Sequence, residues 1–351
     1  MRDLLTQNIE SSALKLYEKL EMFDVNSKLH DSYPKTYLKH LLKHKRYYLE
    51  IYRFVFTSIF SKTQYLPSEM VFVDYGSGNG LMAMFASLIG FHKVVAIDAD
   101  FAFTKAAKIT AKEINIDDIE FVHGTEEKLK EIKIKDKFVA IAGTDVIEHI
   151  YDLEVFFSIL SQLPTLEVTV FTTASNPKNI RLAKRLKQFH IKEELYGSDD
   201  HDRPLFGDKH PSFLSIRKNI IKTYKTSLKA EEVELLARLT RGLRKDDILK
   251  VVNHYVDSGV LPSLINHPTN TCDPETGSWC ERLMEINEFE DLYTKYGFVL
   301  DISNGFYDEY KYSFAIRVAI RILNICIHKL SSFGILVAPF VLLSGRKYDQ
   351  H

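Results

Sequence analysis

Three short stretches gather the side chains that could do chemistry. VFVDYGSGNG, residues 71 to 80, ends a β-rich run on a carboxylate, Asp74, and then places Gly76, Gly78 and Gly80 at alternate positions. Such a turn offers bare backbone amides to an anion or a nucleotide. A second acid, Asp98, closes the next β-rich run, KVVAIDAD, 22 residues after Gly76, where ribose hydroxyls would lie. TDVIEHI, residues 144 to 150, sets Glu148 beside His149. A histidine of near-neutral pKa can take the proton of an attacking hydroxyl, and a carboxylate can orient it or serve as the base itself. Asp145, Glu148 and His149 also suit an octahedral divalent ion of the magnesium type. The third stretch, GSDDHDRPLFGDKHPSF at 197 to 213, holds four aspartates and two histidines among prolines and glycines, which makes it a loop. His201 or His210 would complete a metal set with Glu148 and His149, or act as the base.

These residues need elements to position them. Residues 1 to 66 carry apolar side chains at helical spacing, and Pro67 closes that preface. From Val71 to Phe171 the pattern changes to short β-rich runs alternating with helical stretches, which predicts a parallel sheet with helices on both faces. The first strand-to-helix turn of such a sheet is its usual ligand cradle. The glycine run sits there. Leu81 stands where a dinucleotide fingerprint would have its third glycine, so the nicotinamide and flavin readings weaken.

The acid of DYGSGNG, two residues before a GxGxG, and Asp98 ending the second strand together resemble the class I S-adenosylmethionine-dependent methyltransferases. HGTEEKL, after the third strand, fits where that family contacts adenine. The resemblance covers about residues 66 to 175 and the tail. It implies a Rossmann-like, mostly parallel seven-stranded α/β sheet ending in a reversed hairpin. It also implies S-adenosyl-L-methionine as cofactor, with Asp74 toward the methionine amino group, Asp98 on the ribose, and Gly124, Thr125 and Glu126 toward adenine. Tyr75, Gly76, Ser77, Gly78, Gly80, Ala99 and Asp145 join the same cofactor shell. Residues after the fourth strand belong to the acceptor side in that family. The acid-x-x-Glu-His run is similar to a metal-binding element of small-RNA 2'-O-methyltransferases and to one in ubiquinone-pathway O-methyltransferases, so Mg2+ held by Glu148, His149 and His210 is one expectation and a metal-free base another.

The formal net charge of -1 and pI near 6.9 leave no global field to collect nucleic acid. Cys272, Cys280 and Cys326 form neither a disulfide framework nor a zinc spacing, and the first twenty residues lack a hydrophobic signal core. A reducing, cytoplasmic setting is expected. Residues 211 to 258 read as added helices, and HPTNTCDPETGSWCERL, 267 to 283, as a loop bearing Trp279, Glu281 and Arg282 suited to a polar substrate. The expected divisions are thus 1–66, a cofactor-binding core at 67–196, an acceptor-binding lid at 197–284 and the rest of the sheet at 285–351. FAIRVAIRILNICIHKL, 314 to 330, is too short and too charged to span a bilayer. Packing against the sheet explains it by default, and peripheral contact with the inner face of a membrane is the alternative. The expected function is O-methylation of a sugar or other small or lipid-linked acceptor in a bacterial glycan pathway. RNA or quinone-precursor methylation and non-catalytic cofactor binding are the alternatives, and the sequence says nothing of oligomeric state.

Overall fold

The computed structural model describes residues 2–132, 137–198, 210–263, 269–330 and 332–348. Two compact units emerge, residues 1–147, 153–174 and 286–351 forming the first and residues 148–152 with 175–285 the second.

The first unit holds the sheet. Its strands are β1 (Met70–Tyr75), β2 (Lys93–Asp98), β3 (Glu120–His123), β4 (Phe138–Thr144), β5 (Leu166–Thr173), β6 (Phe298–Asn304) and β7 (Val341–Lys347), in the order β3-β2-β1-β4-β5-β7-β6. All neighbours are parallel except β7, which runs antiparallel to both β5 and β6. This is the doubly wound, Rossmann-like sheet with a reversed hairpin. β1 is buried along its whole length, as a central strand covered on both faces must be.

The preface is no separate division. Helices Arg2–Glu21 and Lys45–Lys62 share one apolar core with β1 and the helix Leu81–Ile89. Phe56 meets Phe72 and Phe85 at ring-centroid distances of 5.0 and 5.2 Å. Asn8 Nδ2 and Ser12 Oγ donate to the carbonyls of Ile89 and Leu88, which lie where the helix Leu81–Ile89 runs out and its last carbonyls have no partner of their own.

Besides residues 148–152, the second unit is a helical stretch that begins earlier than its composition suggests, at Ser175 rather than Gly197. The sequence does mark a break here, with Asn176 and Pro177 in the lead-in and Asn179 capping the helix Ile180–Leu195 by accepting from Leu182 N. Leu214, Ile221, Leu236, Ile248 and Val252 form its core. Beside that core, fully buried Arg217 pairs with Glu194, whose second oxygen accepts from Thr271 Oγ1 at 2.8 Å.

Candidate functional site

In the first unit, Gly76, Gly78 and Gly80 all take left-handed backbone angles, φ of 69°, 51° and 73°, which only glycine adopts without strain. Gly76 is needed for space as well, since a Cβ there would lie 2.3 Å from Val146 Cγ2. Gly143, near the end of β4, is under the same pressure, because its Cβ would come 2.5 Å from the Tyr75 carbonyl. The amides of Gly76 and Ser77 both donate to the Ile97 carbonyl at 2.9 Å, which ties the turn to β2.

Asp98 then reaches back, its Oδ2 accepting from Gly78 N at 2.7 Å and its Oδ1 from Asp100 N at 2.8 Å. Burial raises its pKa, and those two amides pull the other way. Asp74 lies beneath the turn, only 2% exposed, with Oδ2 accepting from Ala83 N at 2.9 Å. Burial, reinforced by the nearby charge of Asp98, pushes its carboxyl up to about 8 against the pull of the Ala83 amide. Tyr75 donates its hydroxyl to Glu126 Oε2 at 3.1 Å. Gly124 N donates to the Asp98 carbonyl, and His123 Nε2 lies 3.0 Å from the Ala99 carbonyl. Thr125 is exposed and Glu126 half-buried, at the start of the 3-10 turn Glu126–Glu131. The structure therefore joins Tyr75 to Glu126 and Gly78 to Asp98, the four coming from the ends of β1, β2 and β3.

Asp145 follows β4 in a left-handed conformation, φ 51°, its amide donating to the Thr172 carbonyl. Around it stands a group that the sequence reading missed. Burial first, then the negative charges of Asp145 and Asp308, push the phenol of Tyr48 well above its ordinary range, and Tyr47 shifts in the same direction for the same leading cause. His44 Nδ1 is 3.2 Å from Asp308 Oδ2, 264 residues away, and the His40 ring lies 4.9 Å from that of His44. Burial, then the charge of His44, lowers the pKa of His40. No motif marks these residues. The only sequence signal is the unusual density of His and Tyr in HLLKHKRYY.

In the second unit, Glu148 and His149 meet the 269–283 segment. Glu148 is buried and its carbonyl accepts from Arg282 N, while the His149 carbonyl accepts from Trp279 N. His149 Nδ1 lies 2.7 Å from the Trp279 carbonyl. A carbonyl only accepts, so Nδ1 carries the hydrogen, and the neutral ring keeps its lone pair on Nε2. That nitrogen is 3.9 Å from Glu281 Oε1. Glu281 is itself in a left-handed conformation, φ 49°, and its carbonyl is 3.0 Å from Nε2 of His190, a wholly buried histidine. Trp279 does not offer its ring freely to a substrate. Arg282 lies over it at 4.8 Å, Tyr151 runs nearly parallel to it, and Nε1 donates to the Tyr151 carbonyl. The tryptophan serves to place the carbonyl that fixes the His149 tautomer.

The expected metal set of Glu148, His149 and His210 does not assemble. His210 Nε2 lies 2.9 Å from buried Glu193, its Nδ1 faces the Pro211 carbonyl at 3.0 Å, and the ring stacks on Phe213. Its two nitrogens are thus turned to Glu193 and to the Pro211 carbonyl. Its place is structural. The bridge between Ser198 and His210 closes the loop that it was expected to arm. Among the described residues no group of three or more His, Cys, Asp or Glu could hold a metal ion, and His201 lies outside the described residues.

Residues 58–154 match the family model of ribosomal protein L11 methyltransferase (PrmA), a little over a quarter of the chain. That segment spans the glycine turn, both acids and the end of β4. No curated protein matches the sequence. Among solved structures, geranyl diphosphate C-methyltransferase from Streptomyces coelicolor is 12% identical with a TM-score of 0.39, the match covering 85% of this chain and 76% of that one. An S-adenosylmethionine-dependent methyltransferase from Mesorhizobium loti is 12% identical with a TM-score of 0.40, over 83% and 97%. These likenesses are too low to carry a substrate across.

Proposed function

We propose that this protein transfers a methyl group from S-adenosylmethionine to a hydroxyl of a small or lipid-linked polar acceptor, a glycan precursor being the class we favour. The observation that carries the reading is the turn itself, in which three left-handed glycines bend the backbone, no atom stands nearer than 4.0 Å to a Cβ placed at Gly78, and Asp98 reaches to the Gly78 amide. The residues present fit the cofactor. Asp74, buried and reluctant to ionise on its own, gains from an ammonium or sulfonium beside it. Asp98 has the carboxylate that ribose hydroxyls require, and Glu126 with Gly124 and Thr125 stands at the end of β3 for the base. When bound, S-adenosylmethionine supplies a methyl group already activated on sulfur.

The chain's own task is then to orient an acceptor and remove its proton. His149 is prepared for this by its tautomer, with Nδ1–H held by the Trp279 carbonyl and the Nε2 lone pair left as acceptor. Glu281 at 3.9 Å stabilises the imidazolium once the proton arrives. A second reading rests on the His44–Asp308 pair, which lies among tyrosines that feel the charge of Asp145 and moves the base to His44.

The test is calorimetry with S-adenosylmethionine and S-adenosylhomocysteine, followed by a screen of sugar, nucleotide-sugar, phenol and RNA acceptors with labelled methyl donor. Wild type is expected to bind both and Asp98→Ala to bind neither well. Absence of binding, or equal binding by the variant, refutes the cofactor reading, and transfer to RNA alone refutes the acceptor class.

A further inference from the structure

The helix Phe314–Lys329 buries a single residue, Ile327. Phe314, Val318, Ile322 and Ile325, spaced four, four and three apart, fall on one stripe and are 80%, 42%, 57% and 48% exposed. The apolar surface continues past the helix in Leu330, Phe333, Leu336 and Val337, all exposed. The packing expected for this helix is thus confined to the strip around Ile327 and Asn324, the latter bonded to Tyr307. The outward stripe has no cover within the first unit, and a contiguous apolar surface of this kind marks a site of contact.

Charge decides between the candidate covers. From Tyr310 to Tyr348 the chain contains no Asp or Glu, while Lys311, Arg317, Arg321 and Lys329 lie along the helix and its lead-in. Arg321 is held in a two-point pair with Glu309, at 2.6 and 3.1 Å, so Lys311, Arg317 and Lys329 carry the net positive charge of this face. A second copy laid against the stripe would set basic flank on basic flank. An anionic bilayer would take the apolar stripe into its acyl boundary and the flank onto its headgroups. At 16 residues the helix is about 24 Å long, and among the described residues no helix is long and apolar enough to cross a membrane. We propose that this helix lies flat on a membrane surface carrying anionic phospholipid and docks the protein there.

The docking does not depend on the methyl-transfer reading, and its test needs no acceptor. The full chain is floated with vesicles of phosphatidylcholine, with and without phosphatidylglycerol. Binding is expected only to the anionic vesicles, weakened by salt, and the paired change Val318→Asp, Ile322→Asp is expected to lower it by at least about tenfold. Because both side chains are exposed, that variant should melt with wild type and bind S-adenosylmethionine as wild type does, which separates lost docking from lost folding. Absence of binding, equal binding to neutral vesicles, or equal binding by the variant overturns the proposal. So does sedimentation showing, without lipid, a dimer that the same substitutions dissociate.

Discussion

Asp74 links stability, pH and ligand binding in one side chain. Its carboxyl is 2% exposed, has one amide partner and is pushed by burial up to about 8 from an ordinary 3.8. For an acid whose folded pKa is raised, the folded chain holds one more proton than the unfolded chain between the two values. Stability must then fall as pH rises through that window, by about 1.4 kcal/mol per pH unit, and the loss ends once pH passes the folded value. Asp74→Asn keeps an oxygen to accept from Ala83 N and cannot ionise. Between roughly pH 5.5 and 7.5, wild type should therefore lose about 3 kcal/mol more than the variant. Urea denaturation of both proteins at matched pH gives the difference, since titrating groups not coupled to Asp74 cancel and Asp98, whose charge acts on it, is the main group that does not. Parallel curves would refute the reasoning. The same group makes a statement about the ligand. A cation beside Asp74 draws it into the ionised form, so S-adenosylmethionine should release a proton on binding and tighten as pH rises toward about 8. Calorimetry in buffers of different ionisation enthalpy reads that proton, and Asp74→Asn should release none from this position.

Gly76→Ala must push Val146 aside and hold an L residue at φ 69°, so a loss of about 3 kcal/mol or more is expected. Gly90→Ala, with φ 93° and nothing within 4 Å, should lose only about 1 kcal/mol in the same thermal melts. Arg217→Met leaves Glu194 buried without its main counter-charge and should cost about 3–5 kcal/mol, seen as faster hydrogen exchange in helices Ile180–Leu195 and Phe213–Tyr224 while the sheet stays protected. His149→Gln should lower turnover by about a hundredfold to ten-thousandfold with cofactor affinity unchanged; full activity there, with the loss appearing instead in His44→Asn and Asp308→Asn, would move the base to His44.

What the sequence disclosed and what it withheld follow the range of the forces involved. The glycine turn was legible because left-handed backbone angles and a Cβ-free approach are local demands that only one residue type meets, and Gly76, Gly78 and Gly80 meet them in the space of five positions. The sheet was legible because alternating strand and helix patterns admit few windings. The proposed bases are another matter. His149 and Glu281 stand together across more than 130 residues, and His44 and Asp308 across 264, through turns such as the left-handed Glu281 that carry no glycine to announce them. His210 shows the converse error. Its neighbours in sequence are acids and a histidine, which suggests a ligand cluster, yet its neighbours in space are Glu193 and Phe213, which make it a brace. The helix Phe314–Lys329 shows why the last step is hardest, since an amphipathic pattern tells which face is apolar but not whether protein covers it. That answer depends on the neighbours that the fold brings to the helix, and here they bury only Ile327. The same physics that makes a buried face and an exposed one look alike in sequence makes them differ in solution, where aspartate at Ile322 should leave folding intact because no protein atom there is displaced.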